Sequence, residues 1–126
     1  MVDKKIHVLI IEDDVFLANI YKTKFEMEGF KVSNSENGEI GLQDAGKKKP
    51  DIILLDILLP KLDGFVVLER LKANKDLKDI PVILLTNLGQ KDDVSKGLEM
   101  GAEDYLIKAH FKPSEVVAKV NEVLKK

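Results

Sequence analysis

Three short, strongly apolar runs punctuate this chain, and each gives way to a residue with chemistry to offer. Ile6–Ile11 runs into Glu12-Asp13-Asp14, Asp51–Asp56 ends on its own carboxylate, and Pro81–Leu85 runs into Thr86-Asn87. Runs of this length, bounded by charged or turn residues, read as strands buried on both faces. Two weaker segments, Phe30–Ser33 and Asp104–Ile107, complete a set of five, and the last stops at Lys108.

Between these runs the spacing turns helical. Asp14 suits an N-cap, Leu17, Ile20, Tyr21 and Phe25 follow at helical spacing, and Gly29 suits the stop. Glu39–Lys49 reads as a helix that Pro50 ends. Pro60 and Asp63-Gly64 mark a loop, after which Phe65, Leu68 and Leu71 begin a third helix. Asp92–Met100, stopped by Gly101, is a fourth. Pro113–Lys125 is the fifth; Pro113 suits its first turn, and Val116, Val117, Val120 and Leu124 form its apolar face. The sum is an α/β chain of five βα units. Strands buried on both faces imply a parallel sheet with helices on either side.

At 126 residues the chain makes one domain, 1–126, and its 44% hydrophobic content suffices for a core. The formal net charge of −2 argues against a dedicated nucleic-acid binder. With no cysteine there is neither a disulfide framework nor a cysteine zinc site. Ile6–Ile11 is too short for a signal-peptide core or a membrane span, so a cytoplasmic protein with no membrane partner is expected.

In a parallel sheet the binding site lies outside the carboxyl ends of the strands. Glu12, Asp13, Asp56, Thr86 and Lys108 all fall there. Each has a bland reading alone: the acids as helix-start residues favoured by the dipole, Thr86 as a strand end, Lys108 as a surface lysine. Their joint placement carries the functional reading. Carboxylates within about 4–6 Å raise one another's pKa and need compensating positive charge. Mg²⁺ takes one or two carboxylates together with phosphate oxygens. Asp56 can then attack phosphorus to give an aspartyl phosphate, with the metal and Lys108 neutralising the equatorial oxygens and Thr86 donating to one of them.

These residues resemble the receiver (CheY-like) domains of bacterial response regulators. Val8–Asp14 is similar to the acidic-pair segment, and Pro50–Pro60 with Asp63-Gly64 to the phosphoacceptor segment. Pro81–Thr86 resembles the switch-threonine segment, and Gly101–Lys108 the segment with the switch aromatic and lysine. The implied fold is a doubly wound, flavodoxin-like (βα)5 sheet of strand order 2-1-3-4-5. That order comes with the resemblance to such folds, CheY among them, since periodicity alone leaves strand order open. By resemblance, Asp56 is the phosphoacceptor. Asp13, Asp56 and the Leu58 backbone carbonyl ligate Mg²⁺, Glu12 acts on it through water, Thr86 and Tyr105 are the switch pair, and Lys108 holds the phosphoryl group. The implied donor is a phosphohistidine on a sensor histidine kinase or phosphotransfer protein of a two-component phosphorelay. Small donors such as acetyl phosphate serve some members.

Several positions depart from the commoner pattern. Glu12-Asp13 stands where Asp-Asp is common, and Asn87 where a small residue follows the threonine. Leu58 and Leu88 are apolar where polar residues often tune hydrolysis, so a different phosphoryl lifetime is expected, of unassigned direction. Ala109 replaces a proline whose bond is typically cis, leaving two alternatives: a trans Lys108–Ala109 bond with a rearranged loop, or a strained cis bond.

On phosphorylation Thr86 is expected to move toward the phosphoryl group and Tyr105 to turn inward, a population shift between two packings. The readout face is the fourth helix, fifth strand and fifth helix. Met1 reads as a native start, although an excised receiver is the other possibility. With no room for an output domain, output goes to an unknown partner protein or to self-association, as a monomer or a phosphorylation-dependent dimer. Such a chain is not an enzyme beyond catalysing its own phosphoryl transfer and dephosphorylation. The alternative is a degenerate receiver that scaffolds without phosphorylation. A haloacid-dehalogenase-type enzyme wants a second aspartate where Leu58 stands, and a dinucleotide binder wants a glycine loop where Glu12–Asp14 stand. His7 and His110 read as surface or loop histidines, Lys47–Lys49 as a solvated helix end, and the apolar stripe of the last helix as core packing.

Overall fold

The computed structural model describes residues 5–125. Its strands are β1 (His7–Ile11), β2 (Lys31–Ser35), β3 (Ile52–Leu55), β4 (Val82–Thr86) and β5 (Asp104–Ile107). Its helices are α1 (Val15–Met27), α2 (Gly38–Lys48), α3 (Gly64–Ala73), α4 (Lys91–Glu99) and α5 (Pro113–Leu124). All strand pairs are parallel and the order is β2-β1-β3-β4-β5, as expected.

Side-chain alternation divides the core into two layers. Leu9, Ile11, Ile53, Leu55, Val82 and Leu84 face one side of the sheet, where Ala45 of α2 and Val67, Leu68 and Leu71 of α3 cover them. Val8, Ile10, Ile52, Leu54, Ile83 and Leu85 face the other, against Tyr21 and Phe25 of α1 and Val116, Val117 and Val120 of α5. Every β1, β3 and β4 residue is buried, which is why these strands read as continuous apolar runs. Full burial of one such side chain is worth about 1.5–3 kcal/mol.

Asp14 and Asp63 cap α1 and α3 by accepting from the Leu17 and Phe65 N–H groups at 3.0 and 2.7 Å. Gly29 and Gly101, at φ 92° and 105°, follow their helices in the left-handed region, as expected of stops. Gly64 meets a tighter constraint. A Cβ there would collide with the Asp56 carbonyl oxygen and the Ile57 Cα, so only glycine lets α3 start against the end of β3.

The differences from expectation have local causes. β2 excludes Phe30 and extends through Asn34 and Ser35, because Lys31–Ser35 pairs in register with the whole of β1. It is an edge strand with polar residues, so apolar periodicity marks its end poorly. No peptide bond among the described residues is cis; Lys108–Ala109 is trans, and Lys108–His110 forms one 3₁₀ turn. His110 is exposed, but His7 is a correction. It is buried at 8% exposure, its ring Nε2 lies 2.8 Å from Ser33 Oγ, and its backbone N–H donates to Asp51 Oδ2 at 2.7 Å. Its position at the start of an inner strand, beside a polar edge strand, gives the imidazole a hydroxyl partner inside.

Candidate phosphoryl-transfer site

The strand ends converge as the parallel topology requires. The Asp56 N–H donates to the Ile11 carbonyl at 3.0 Å, which locks the end of β3 against the end of β1. Asp56 and Glu12 are buried at 5% and 3% exposure, while Asp13 is exposed. Oxygens of Glu12, Asp13 and Asp56 lie within 4.8 Å of one another.

Lys108 reaches both buried acids from the end of β5. Its Nζ donates to Asp56 Oδ2 at 2.7 Å and also to Glu12 Oε1. The remaining oxygens accept from backbone: Glu12 Oε2 from the Asp14 N–H and Asp56 Oδ1 from the Leu58 N–H, each at 3.1 Å. Burial pushes the Glu12 carboxyl above its usual range, against the opposing hydrogen bonds from Lys108 and Asp14; the Asp56 charge adds to the rise. Burial works against the Lys108 ammonium, but its hydrogen bonds to Asp56 and Glu12, and their charges, outweigh it, so its pKa is raised.

One ammonium cannot balance three carboxylates. The arrangement retains an unmet demand for positive charge beside oxygen donors, which a hard dication such as Mg²⁺ fits. Leu58, 55% exposed, begins the loop on the same rim and has its backbone tied to Asp56.

Thr86 ends β4 and is fully buried. Among the described residues its hydroxyl meets neither Asp56 nor Lys108; it accepts from the Leu88 N–H at 3.3 Å. Tyr105 on β5 is buried and its hydroxyl donates to the Leu88 carbonyl. Burial, with Asp93 and Asp56 adding to it, pushes this phenol up to about 12. Tyr105 thus already occupies an inward position beneath the Thr86–Leu88 turn.

Sequence reasoning missed two participants. Tyr21 reads in the sequence as ordinary helix packing, yet burial raises its pKa and its phenol is close enough to feel Lys108, Glu12 and Asp56. The Leu88 peptide has no side-chain signature that could have revealed its double role.

Comparison with known proteins agrees with this architecture. The family model described as the response regulator receiver domain matches residues 8–121. Over 119 residues, 94% of the chain, it is 40% identical to the DNA-binding dual master transcriptional regulator RpaA of Synechocystis, and the match covers 49% of that protein. The chain therefore spans about half the length of that relative. The receiver domain of Francisella response regulator 1452 superposes with a TM-score of 0.88 at 33% identity, covering 96% of this chain and 98% of that one. The BeF3-activated N-terminal receiver domain of Klebsiella pneumoniae RstA gives 0.87 at 28% identity, covering 95% and 99%.

Proposed function

Because this chain belongs to the response regulator receiver domain family, we propose that it is a phosphorylation-dependent switch of a two-component system with Asp56 as its phosphoacceptor. The observation that carries the reading is the bridge from Lys108 to both Asp56 and Glu12, with Asp13 alongside. A lysine so placed holds the nucleophile still and presents a fixed charge where incoming phosphoryl oxygens would sit.

In the proposed step an Asp56 carboxylate oxygen attacks phosphorus. The P–N bond of the donor phosphohistidine breaks, and its electron pair leaves with the imidazole. Bound Mg²⁺, held by Asp13, Asp56, the Leu58 carbonyl and Glu12 through water, would supply Lewis-acid neutralisation of the phosphoryl oxygens. Lys108 shifts its hydrogen bonds from carboxylate to phosphoryl. Thr86 releases the Leu88 N–H and donates its hydroxyl to the new group. Chemistry is confined to the chain's own phosphorylation and dephosphorylation.

Leu88 links this event to the surface, because Thr86 holds its N–H and Tyr105 holds its carbonyl. The proposed readout face comprises α4, β5 and α5, and the proposed recipient is a partner protein or a second copy. RpaA is by name a DNA-binding regulator, and the match covers half of it, so the identity of the effector is part of the proposal. No helix among the described residues is long and apolar enough to cross a membrane. That is compatible with the cytoplasmic setting we propose.

Beryllium fluoride with Mg²⁺ tests the reading. The chain has two tyrosines, Tyr21 and Tyr105, and no tryptophan, so tyrosine emission reports both residues near the site. A saturable change requiring Mg²⁺ and abolished in Asp56→Asn is expected. No change in the wild type, or the same change in Asp56→Asn, would favour a scaffold that works without phosphorylation.

A further inference from the structure

We propose that the recess at the amino-terminal edge of the sheet, opposite the acidic site, binds a small polyphosphate anion. Lys5, Lys31, Lys48 and Lys49 line a recess of about 220 Å³ together with His7 and Asp51. A helix end accounts for Lys48, which closes α2 where the dipole favours cations. Lys49 is the C-cap of the same helix, whereas Lys5 and Lys31 come from other segments. Lys5 precedes β1, Lys31 opens β2 in register with His7, and Lys49 turns into the left-handed region at φ 44°. Three separate segments thus bring four lysines to one recess, in a chain whose net charge is −2.

None of the four takes part in an ion pair among the described residues, where Lys24, Lys108 and Lys119 supply the cations of every pair. The one acid in the lining, Asp51, already accepts from the His7 N–H at 2.7 Å. The buried His7 ring is fixed by Ser33. Burial, then the charges of Lys31 and Lys48, lowers its pKa, against the opposing charge of Asp51. Lysines are point-charge binders of phosphate, and a compact, multiply charged anion satisfies several at once. A long polyanion is disfavoured. The neighbouring recess presents Asp51, Asp79 and Glu103, which would repel a strand of nucleic acid continuing along that edge.

β1 and β3 start at this recess and lead to Glu12 and Asp56. Five residues of strand span about 17 Å at ~3.3 Å per residue. That distance is too great for one small anion to touch both sites.

The chain has two histidines, and His110 provides an internal control. Inorganic pyrophosphate titrated without Mg²⁺ at constant ionic strength should shift the His7 imidazole NMR signals saturably and leave those of His110 in place. Lys31→Gln with Lys48→Gln should weaken the response at least tenfold, as should Lys5→Gln with Lys49→Gln in a separate variant. Asp56→Asn should leave it unchanged, which separates this proposal from the phosphoacceptor reading. The proposal is overturned by an equal shift with sodium chloride, by undiminished binding in both lysine variants, or by loss of binding in Asp56→Asn. A DNA duplex that binds these lysines more tightly than pyrophosphate would also overturn it.

Discussion

Thr86 and Tyr105 hold opposite ends of one residue: the Thr86 hydroxyl accepts from the Leu88 N–H, and the Tyr105 hydroxyl donates to the Leu88 carbonyl. A threonine that leaves this turn for a phosphoryl group frees the N–H of the residue on whose carbonyl the tyrosine rests. Tyr105→Phe keeps the packing but leaves the carbonyl without that donor. The expected cost is about 0.5–1.5 kcal/mol, read from urea denaturation. A second effect separates this bond from mere packing: beryllium fluoride should still bind Tyr105→Phe, while the coupling to α4 weakens in amide NMR shifts.

The same phenol sets an alkaline limit. Its folded pKa, raised from 10.0 to about 12, exceeds the unfolded value, so the folded state holds the proton longer. Its contribution is fully present below pH 10 and is lost as pH rises toward 12. Thermal melts across that window should show stability falling with pH, and Tyr105→Phe should flatten part of the slope. An unchanged slope would contradict the assignment.

His7 works at the other end of the scale. Its folded pKa lies below the ordinary histidine value of 6.5, so the unfolded chain takes up the proton first. The stability from keeping the imidazole neutral is present above that value and is lost as pH falls from it toward the folded pKa. His7→Gln should remove this component of the acid slope in denaturant titrations. If the wild type and variant have parallel slopes between neutral and mildly acid pH, the buried neutral histidine is wrong.

Lys108→Met should be costly, because two buried carboxylates lose their shared cation. Breaking a buried pair costs about 3–5 kcal/mol. Mg²⁺ should restore part of it, since a ligand at about 100 times its Kd stabilises by about 2.7 kcal/mol. Urea midpoints with and without Mg²⁺ measure both effects. A variant as stable as wild type without metal would contradict the charge account.

Much of this is legible in the residues, and the gaps have physical reasons. The fully buried strands β1, β3 and β4 announce themselves, and parallel topology then forces Glu12, Asp56 and Lys108 to one edge. β2 is polar because an edge strand needs only one apolar flank, so its end at Ser35 is obscure in the sequence. His7 reads as a surface residue because its partner, Ser33, is distant in sequence and meets it only through strand pairing. The Leu88 peptide is invisible because any residue supplies a backbone N–H and carbonyl. The Lys108–Ala109 bond is open to two readings in the sequence, and a trans 3₁₀ turn resolves it.

The most direct test of the central claim is intact mass after incubation with acetyl phosphate and Mg²⁺. The account predicts a gain of one phosphoryl group in the wild type, and no gain in Asp56→Asn or after Mg²⁺ is chelated. A wild type that never gains the group, or an Asp56→Asn variant that gains it equally, would contradict the account.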